Sequence, residues 1–313
     1  MFFTYLLFAL GFAMLVKGAD WLVEGAVTFA RRFRINEITI GLTIVAFGTS
    51  APELVVNVVS SIRASGELVV GNIIGSNIAN IALVLGTAGI LAPLVIKKSL
   101  IKKEIPFGIL GAFLIYFLAV RNIETFTLGR WGGGILLVLF GVFLWLVWSS
   151  KEVEEKIKTK AKHNLGMAGF FIIGGLLGLG VGGEFVVSSA VKIATNFGVS
   201  EKLIGLTLVA IGTSLPELVT SAVAVKRGRI DIAVGNVVGS NVFNIFWVLG
   251  FSALINPISF ATNTMVDLGV LVGITMLLLL ATFTGKKYSL DKWEASMMLI
   301  AYFVYLGFAI WRG

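Results

Sequence analysis

The chain has 313 residues, 57% hydrophobic and 13% charged, with a formal net charge of +8 and a mean hydropathy of +0.97. Soluble domains are about 25% charged, so the composition excludes a water-facing globule, and its hydrophobicity excludes disorder. Most of the 25 Lys and Arg lie in short connections between apolar runs and there is no Cys, which excludes a nucleic-acid surface, a disulfide framework and a thiolate site.

A membrane helix takes about 20 largely apolar residues. In chain order, with charge clusters as borders, ten spans are predicted, at 2–29, 37–62, 68–93, 104–120, 129–149, 165–195, 202–225, 231–256, 265–284 and 293–311. Met1–Val16 has no basic residue before its apolar run, so it reads as the start of a membrane helix and not as a cleaved leader. The longest connection, Ser150–Asn164, is a charged linker whose lone histidine, His163, is expected to be solvated. Eighteen Lys and Arg fall in odd-numbered connections and six in the even-numbered ones and the C-terminus, with Lys17 inside the first span. The positive-inside rule then puts the odd connections in the cytoplasm and both termini outside.

Gly41–Ile81 aligns without a gap on Gly205–Ile245, 164 residues later, with 22 identities in 41 positions that include Thr, Ser, Pro, Glu and Asn. Five spans precede the second copy, so the halves are expected to cross the membrane in opposite senses. Inverted repeats of this kind place their sites near the midplane, where interrupted helices meet.

Each copy carries two polar motifs. GTSAPEL (Gly48–Leu54) matches GTSLPEL (Gly212–Leu218). Pro52 and Pro216 supply no amide, which is expected to free carbonyls around Gly48 and Gly212, near Ala46, Ala210, Thr49 and Thr213. Glu53 and Glu217 follow, each costing about 2.5–3.5 kcal/mol at a helix centre, with no basic residue near them in sequence. A bound cation is the expected counter-charge. The second motif is GNIIGSNIANI (Gly71–Ile81), matched by GNVVGSNVFNI (Gly235–Ile245). Asn72, Ser76 and Asn80 share one helix face, with Asn77 adjacent. Ser76, Asn80, Ser240 and Asn244 read as ligands; Asn72, Asn236 and the glycines serve either as ligands or as helix-packing contacts. Carboxylate, hydroxyl, amide and carbonyl donors select hard cations such as Na⁺ and Ca²⁺, and Mg²⁺ fits less well because it dehydrates reluctantly. Asp20 and Glu184 are equivalent positions in the first spans of the two halves. Either they guide ions or they pair, with Lys17 the nearest cation on the helix face of Asp20 and Glu24.

The paired motifs, at matched distances, resemble the two alpha-repeats of the sodium/calcium exchanger branch of the cation/calcium antiporter superfamily, and the layout is similar to its short archaeal and bacterial members over the whole chain. The resemblance implies an all-α integral membrane protein of ten helices in two inverted five-helix repeats, 1–149 and 165–313, joined by a cytoplasmic linker at 150–164. It implies four cation sites and electrogenic exchange of several Na⁺ for one Ca²⁺. Carried over by position, the ligands are Thr49, Ser50, Glu53, Ser76 and Asn80, then Thr213, Ser214, Glu217, Ser240 and Asn244, with the carbonyls of Ala46 and Ala210. The first and sixth spans resemble the pair that slides across the core to alternate access. Some family members, K⁺-dependent ones included, carry Asp at the position of Asn244, so Asn here favours K⁺-independent exchange.

The expected protein is therefore a multi-pass plasma-membrane antiporter and no enzyme. Its partners are Na⁺, Ca²⁺ and the lipid bilayer, with no cofactor, no nucleic acid and no required oligomer. The alternatives are H⁺- or K⁺-coupled calcium/cation antiport, or a cation channel on the same glutamates. An intramembrane hydrolase is disfavoured because the spans carry no HExxH or GxSxG pattern.

Overall fold

Backbone amides and carbonyls in apolar runs of this length have no water to bond, so they close on one another as helices. A computed structural model describes residues 1–120, 126–149, 163–199, 204, 210–260, 262–285 and 287–312. Its helices are α1 (Phe2–Phe33), α2 (Glu37–Thr49), α3 (Ala51–Ile62), α4 (Gly66–Leu91), α5 (Ile105–Val120), α6 (Arg130–Ser149), α7 (Leu165–Asn196), α8 (Ala210–Thr213), α9 (Leu215–Lys226), α10 (Ile230–Ile255), α11 (Thr262–Ala281) and α12 (Lys292–Arg312). Among the described residues seven of them, α1, α4, α6, α7, α10, α11 and α12, are long and apolar enough to cross a membrane, and the α2–α3 pair, bent by 47°, makes an eighth. Each expected span apart from 202–225 coincides with a helix to within about four residues. That one falls partly outside the described residues.

The breaks have local causes. Ser50 leaves the helical run at φ −85°, ψ 6°, and Pro52 follows near the start of α3; Ser214 and Pro216 repeat this before α9, at φ −87°, ψ 4°. Ala92 and Asn256 are extended because each precedes a proline, Pro93 and Pro257, which ends α4 and α10. Those prolines also start short strands that the all-α expectation omitted. Strand β1 (Leu94–Val95) pairs antiparallel with β4 (Ser289–Leu290), and β2 (Thr127–Leu128) with β3 (Ile258–Ser259). Asn164 caps α7 by accepting the Met167 amide at 2.8 Å.

Burial separates a centre from a periphery. In their most apolar stretches α4 and α10 are 72% and 78% buried, against 22% for α1 and 28% for α7. The outer pair α1 and α7 cross backbone to backbone. A Cβ on Gly18 would lie 2.8 Å from the Gly175 carbonyl oxygen, and one on Gly175 would lie 2.6 Å from the Leu22 amide nitrogen. At the centre α2 meets α10 in the same manner, a Cβ on Gly41 falling 2.9 Å from the Ile232 carbonyl oxygen.

Three charged clusters gather at one end of the molecule. Lys97 bonds Asn36 (3.0 Å) and Asp231 (2.8 Å), and Arg229 bonds Glu37 at 2.9 Å. Arg227 bridges Asp20 (2.5 Å) and Glu24 (2.7 Å), and His163 lies 3.2 Å from Glu24. This corrects two expectations. His163 is not simply solvated, because Phe171 packs against its ring and its Nε2 lies 3.2 Å from a Glu24 oxygen. Asp20 and Glu24 turn to Arg227 of α9 and not to Lys17, which is exposed.

Candidate cation site

Glu53 and Glu217 sit in the first turns of α3 and α9, where the unpaired amides of a helix start favour negative charge. Both are buried, at 1% and 0% exposure, and among the described residues neither belongs to an ion pair. The two carboxylates are near enough for their charges to act on each other. Glu217 Oε1 accepts the hydroxyls of Ser50, from the other half, at 3.0 Å and of Ser240 at 3.3 Å. Glu217 Oε2 and both Glu53 oxygens are buried without a hydrogen-bond partner.

The remaining candidates fall into two groups. Thr49 donates to Asn236 Oδ1 at 3.0 Å and lies 3.4 Å from the Ala46 carbonyl, while Ser76 and Thr213 face each other across the halves at 3.4 Å. By contrast, Ser214 Oγ, both amide atoms of Asn80 and Asn244 Oδ1 are buried and unpartnered. Buried polar atoms are normally paired. Apart from the Asn80 NH₂, every one of these orphans has an acceptor lone pair, which is the donor set of a hard cation. The Ala46 carbonyl already receives the Ser50 amide at 3.0 Å besides Thr49, so proline frees the carbonyl at Gly48 more than the one at Ala46. Ala210 opens α8.

Both halves add a local irregularity. The helix loosens into a π turn at Asn80–Val84 and again at Phe243–Val248, which carries Asn244. Single π turns inside helices recur at functional sites. Sequence reasoning named Asn77 only as a neighbour of the motif face and passed over Asn57 and Ser221, all three of which bond residues of the candidate site. Asn77 accepts the Asn244 amide at 3.2 Å on its side-chain oxygen and the Asn241 amide at 3.3 Å on its carbonyl, so the Asn244 oxygen is left free. Asn57 donates to the Glu53 carbonyl at 2.7 Å, and Ser221 accepts from Asn236 at 3.2 Å. A signal existed for the last two: each is a polar residue four positions after its glutamate, on the same helix face.

The halves are unequally exposed. Gly71 is exposed and Asn72 partly so, whereas their counterparts Gly235 and Asn236 are buried. Helix α1 lies along α9, but the equivalent contact of α7 with α3 is nearly absent. Accordingly Val55, Val56 and Val59 of α3 are exposed, while Val219 and Val223 of α9 are half-buried and Thr220 is buried.

Helices long and apolar enough to cross a membrane, packed around a buried carboxylate pair with hydroxyl and amide oxygens about it, define a multi-pass membrane protein. The family described as sodium/calcium exchanger protein matches residues 3–149 and 167–311. The sodium/calcium exchanger MaX1 of Methanosarcina acetivorans is 30% identical over 342 positions that cover 97% of each chain. Membrane protein MJ0091 of Methanocaldococcus jannaschii is 38% identical over 301 positions, 95% of each. The solved structure of sodium-calcium exchanger NCX_Mj soaked with 2.5 mM Na⁺ and 0.1 mM Ca²⁺ matches with a TM-score of 0.81 at 34% identity, over 97% of this chain and 98% of that one. The chain belongs to the sodium/calcium exchanger family. It is a multi-pass membrane protein of the cation/calcium antiport class, and the family is one of transporters.

Proposed function

We propose that the protein exchanges Na⁺ for Ca²⁺ across the plasma membrane by alternating access, electrogenically and without K⁺. The observation that carries this reading is the Glu53–Glu217 pair, buried without a basic partner among the described residues and ringed by oxygen donors. Its charge of −2 matches one Ca²⁺ or two Na⁺. The cargo sets therefore compete for the same carboxylates and never bind in full together. An empty pair resists passage through the apolar interior, which couples the two fluxes. Ligands are Glu53, Glu217, Thr49, Ser50, Ser76, Asn80, Thr213, Ser214, Ser240 and Asn244, with the Ala46 and Ala210 carbonyls. NCX_Mj, solved in Na⁺ with Ca²⁺ or with Sr²⁺, supports the choice of cargo.

The architecture behind it is ten spans in two inverted halves, 1–149 and 165–313, with 150–164 as a cytoplasmic linker and both termini outside. The strand pairings support this count. Strands β1 and β4 join the third and ninth connections, and β2 and β3 join the fourth and eighth, so connections of like parity meet. The ion pairs of Lys97 with Asp231 and of Arg229 with Glu37 also tie together residues at the odd connections. The unequal exposure of the two halves supports a conformer open on one side only. No cofactor and no second copy enters the cycle.

The test is radioactive Ca²⁺ uptake into proteoliposomes. Vesicles loaded with Na⁺ take up Ca²⁺ when external Na⁺ is low, and an imposed potential changes the rate, since a third Na⁺ beyond the two that balance the carboxylates moves one net charge per cycle, worth about 2.3 kcal/mol per 100 mV. Uptake indifferent to the Na⁺ gradient overturns the proposal.

A further inference from the structure

Asp20 and Glu184 occupy equivalent places in α1 and α7, 164 residues apart, and Arg63 and Arg227 are equivalent and identical. The two arginines are delivered in the same way, as the residues that cap α3 and α9, at φ −82°, ψ 4° and φ −85°, ψ 3°. Their surroundings nevertheless differ. Arg227 closes on Asp20 at 2.5 Å and on Glu24 at 2.7 Å, fastening α1 to the core helix α9. Arg63 and Glu184 are both exposed, and no ion pair joins either to another described residue.

We propose that these are two halves of an alternating latch: Asp20 and Glu24 with Arg227 hold the present conformer, and Glu184 with Arg63 holds the opposite one. The inference rests on the alternating-access reading above and gives it named residues. Three features agree with it. Helix α1 lies against α9 while α7 is withdrawn from α3. The valine face of α3 that α7 would cover, Val55, Val56 and Val59, is exposed. At the far end Arg63 and Glu184 stand as the oppositely charged, exposed symmetry equivalents of the pair already formed. When α1 and α7 move as one body, which their glycine-to-glycine crossing enforces, releasing one latch brings the other within reach. The latches are unequal, because the position equivalent to Glu24 is Ser188, so the second has one carboxylate where the first has two. The present conformer is therefore the favoured resting state.

The chain has no cysteine, so pairs can be introduced singly. In purified protein, Asp20→Cys with Arg227→Cys and Glu184→Cys with Arg63→Cys are treated with a short thiol-reactive crosslinker. Both pairs are expected to link, the second more slowly. Adding Glu24→Gln, which weakens the first latch from outside the ion site, is expected to raise the yield of the second pair by about two- to fivefold, the worth of one partly exposed ion pair at its upper range. Failure of the Glu184–Arg63 pair to link overturns the latch, as does a yield that Glu24→Gln leaves unchanged. Both substituted residues of that pair are exposed, so folding is not at risk, and melting of the reduced protein checks it. Crosslinking needs no ion flux. A missing latch in a chain that still exchanges Na⁺ for Ca²⁺ is thereby distinguished from failure of the exchange reading itself.

Discussion

Replacing Glu53 by Gln removes one charge of the pair and keeps the shape. Both Glu53 oxygens are buried and accept no hydrogen bond, so no contact within the protein is lost; what changes is the field at the ion. At an effective dielectric of about 20, one unit charge about 4 Å away is worth about 4 kcal/mol to a monovalent cation and about 8 kcal/mol to a divalent one. Those figures are about a thousandfold in Na⁺ affinity and about a millionfold in Ca²⁺ affinity. The expected result is loss of Ca²⁺ exchange, with Na⁺ binding weakened far less than Ca²⁺ binding and melting unchanged. Calorimetric titration of each ion into the purified variant reads the two factors. Equal weakening of both ions, or exchange at the parent rate, refutes the electrostatic reasoning. In Glu217→Gln the ion loss is the same, but the charge-assisted bonds from Ser50 and Ser240 also weaken, so melting falls by about 1 kcal/mol or more.

Three further outcomes follow from the geometry. Gly18→Ala places a methyl 2.8 Å from backbone atoms of Gly175 and Leu179, forcing α1 and α7 apart at a cost of about 1–3 kcal/mol, whereas Gly180→Ala, with no neighbour within 4 Å, is tolerated; thermal melts in detergent compare them. Asn77→Ala removes the acceptor that fixes Asn244, and the unpaired amide is expected to cost about 1–3 kcal/mol in stability or ion affinity, read by Ca²⁺ titration and melting. Withdrawing K⁺ from both faces of the vesicle leaves Na⁺-driven Ca²⁺ flux unchanged, and Asn244→Asp alters the Ca²⁺ dependence by adding a third carboxylate; flux that stops without K⁺ contradicts the reading of Asn244.

Helix positions were legible because the signal is one-dimensional. Long apolar runs and prolines leave few alternatives, and Pro52 and Pro216 mark breaks that the backbone makes at Ser50 and Ser214. The ligand neighbourhood was legible only as composition. GTSAPEL announces a carboxylate and hydroxyls, yet nothing in the string says that Ser50 bonds the glutamate of the other half and not its own. Such contacts depend on how two helix pairs interlock, which spacing within one copy does not encode. The part played by Asn77 was overlooked for the same reason, since its partners Asn241 and Asn244 lie 164 and 167 residues away. The mispairing expected for Lys17 has a related cause. Proximity along α1 favoured it, but Arg227 reaches Asp20 and Glu24 together, and two charge-assisted bonds from one planar guanidinium outcompete a lysine in contact with water.

Two copies of one motif pattern thus sit in different environments, and that difference is itself informative. Identical residues in equivalent positions have the same intrinsic preferences, so the exposure of Gly71 beside the burial of Gly235, and Arg63 without an ion pair among the described residues beside the two ion pairs of Arg227, reflect different surroundings and not local chemistry. On the inverted-repeat reading proposed above, the reversed arrangement is built from equivalent contacts, and the positions where the copies diverge set its difference in free energy. Glu24 against Ser188 is one of those, and a chain in which Ser188→Glu restores the match is expected to populate the two crosslinkable states more evenly than the parent. A ratio that stays where it was places the bias elsewhere among the diverged positions.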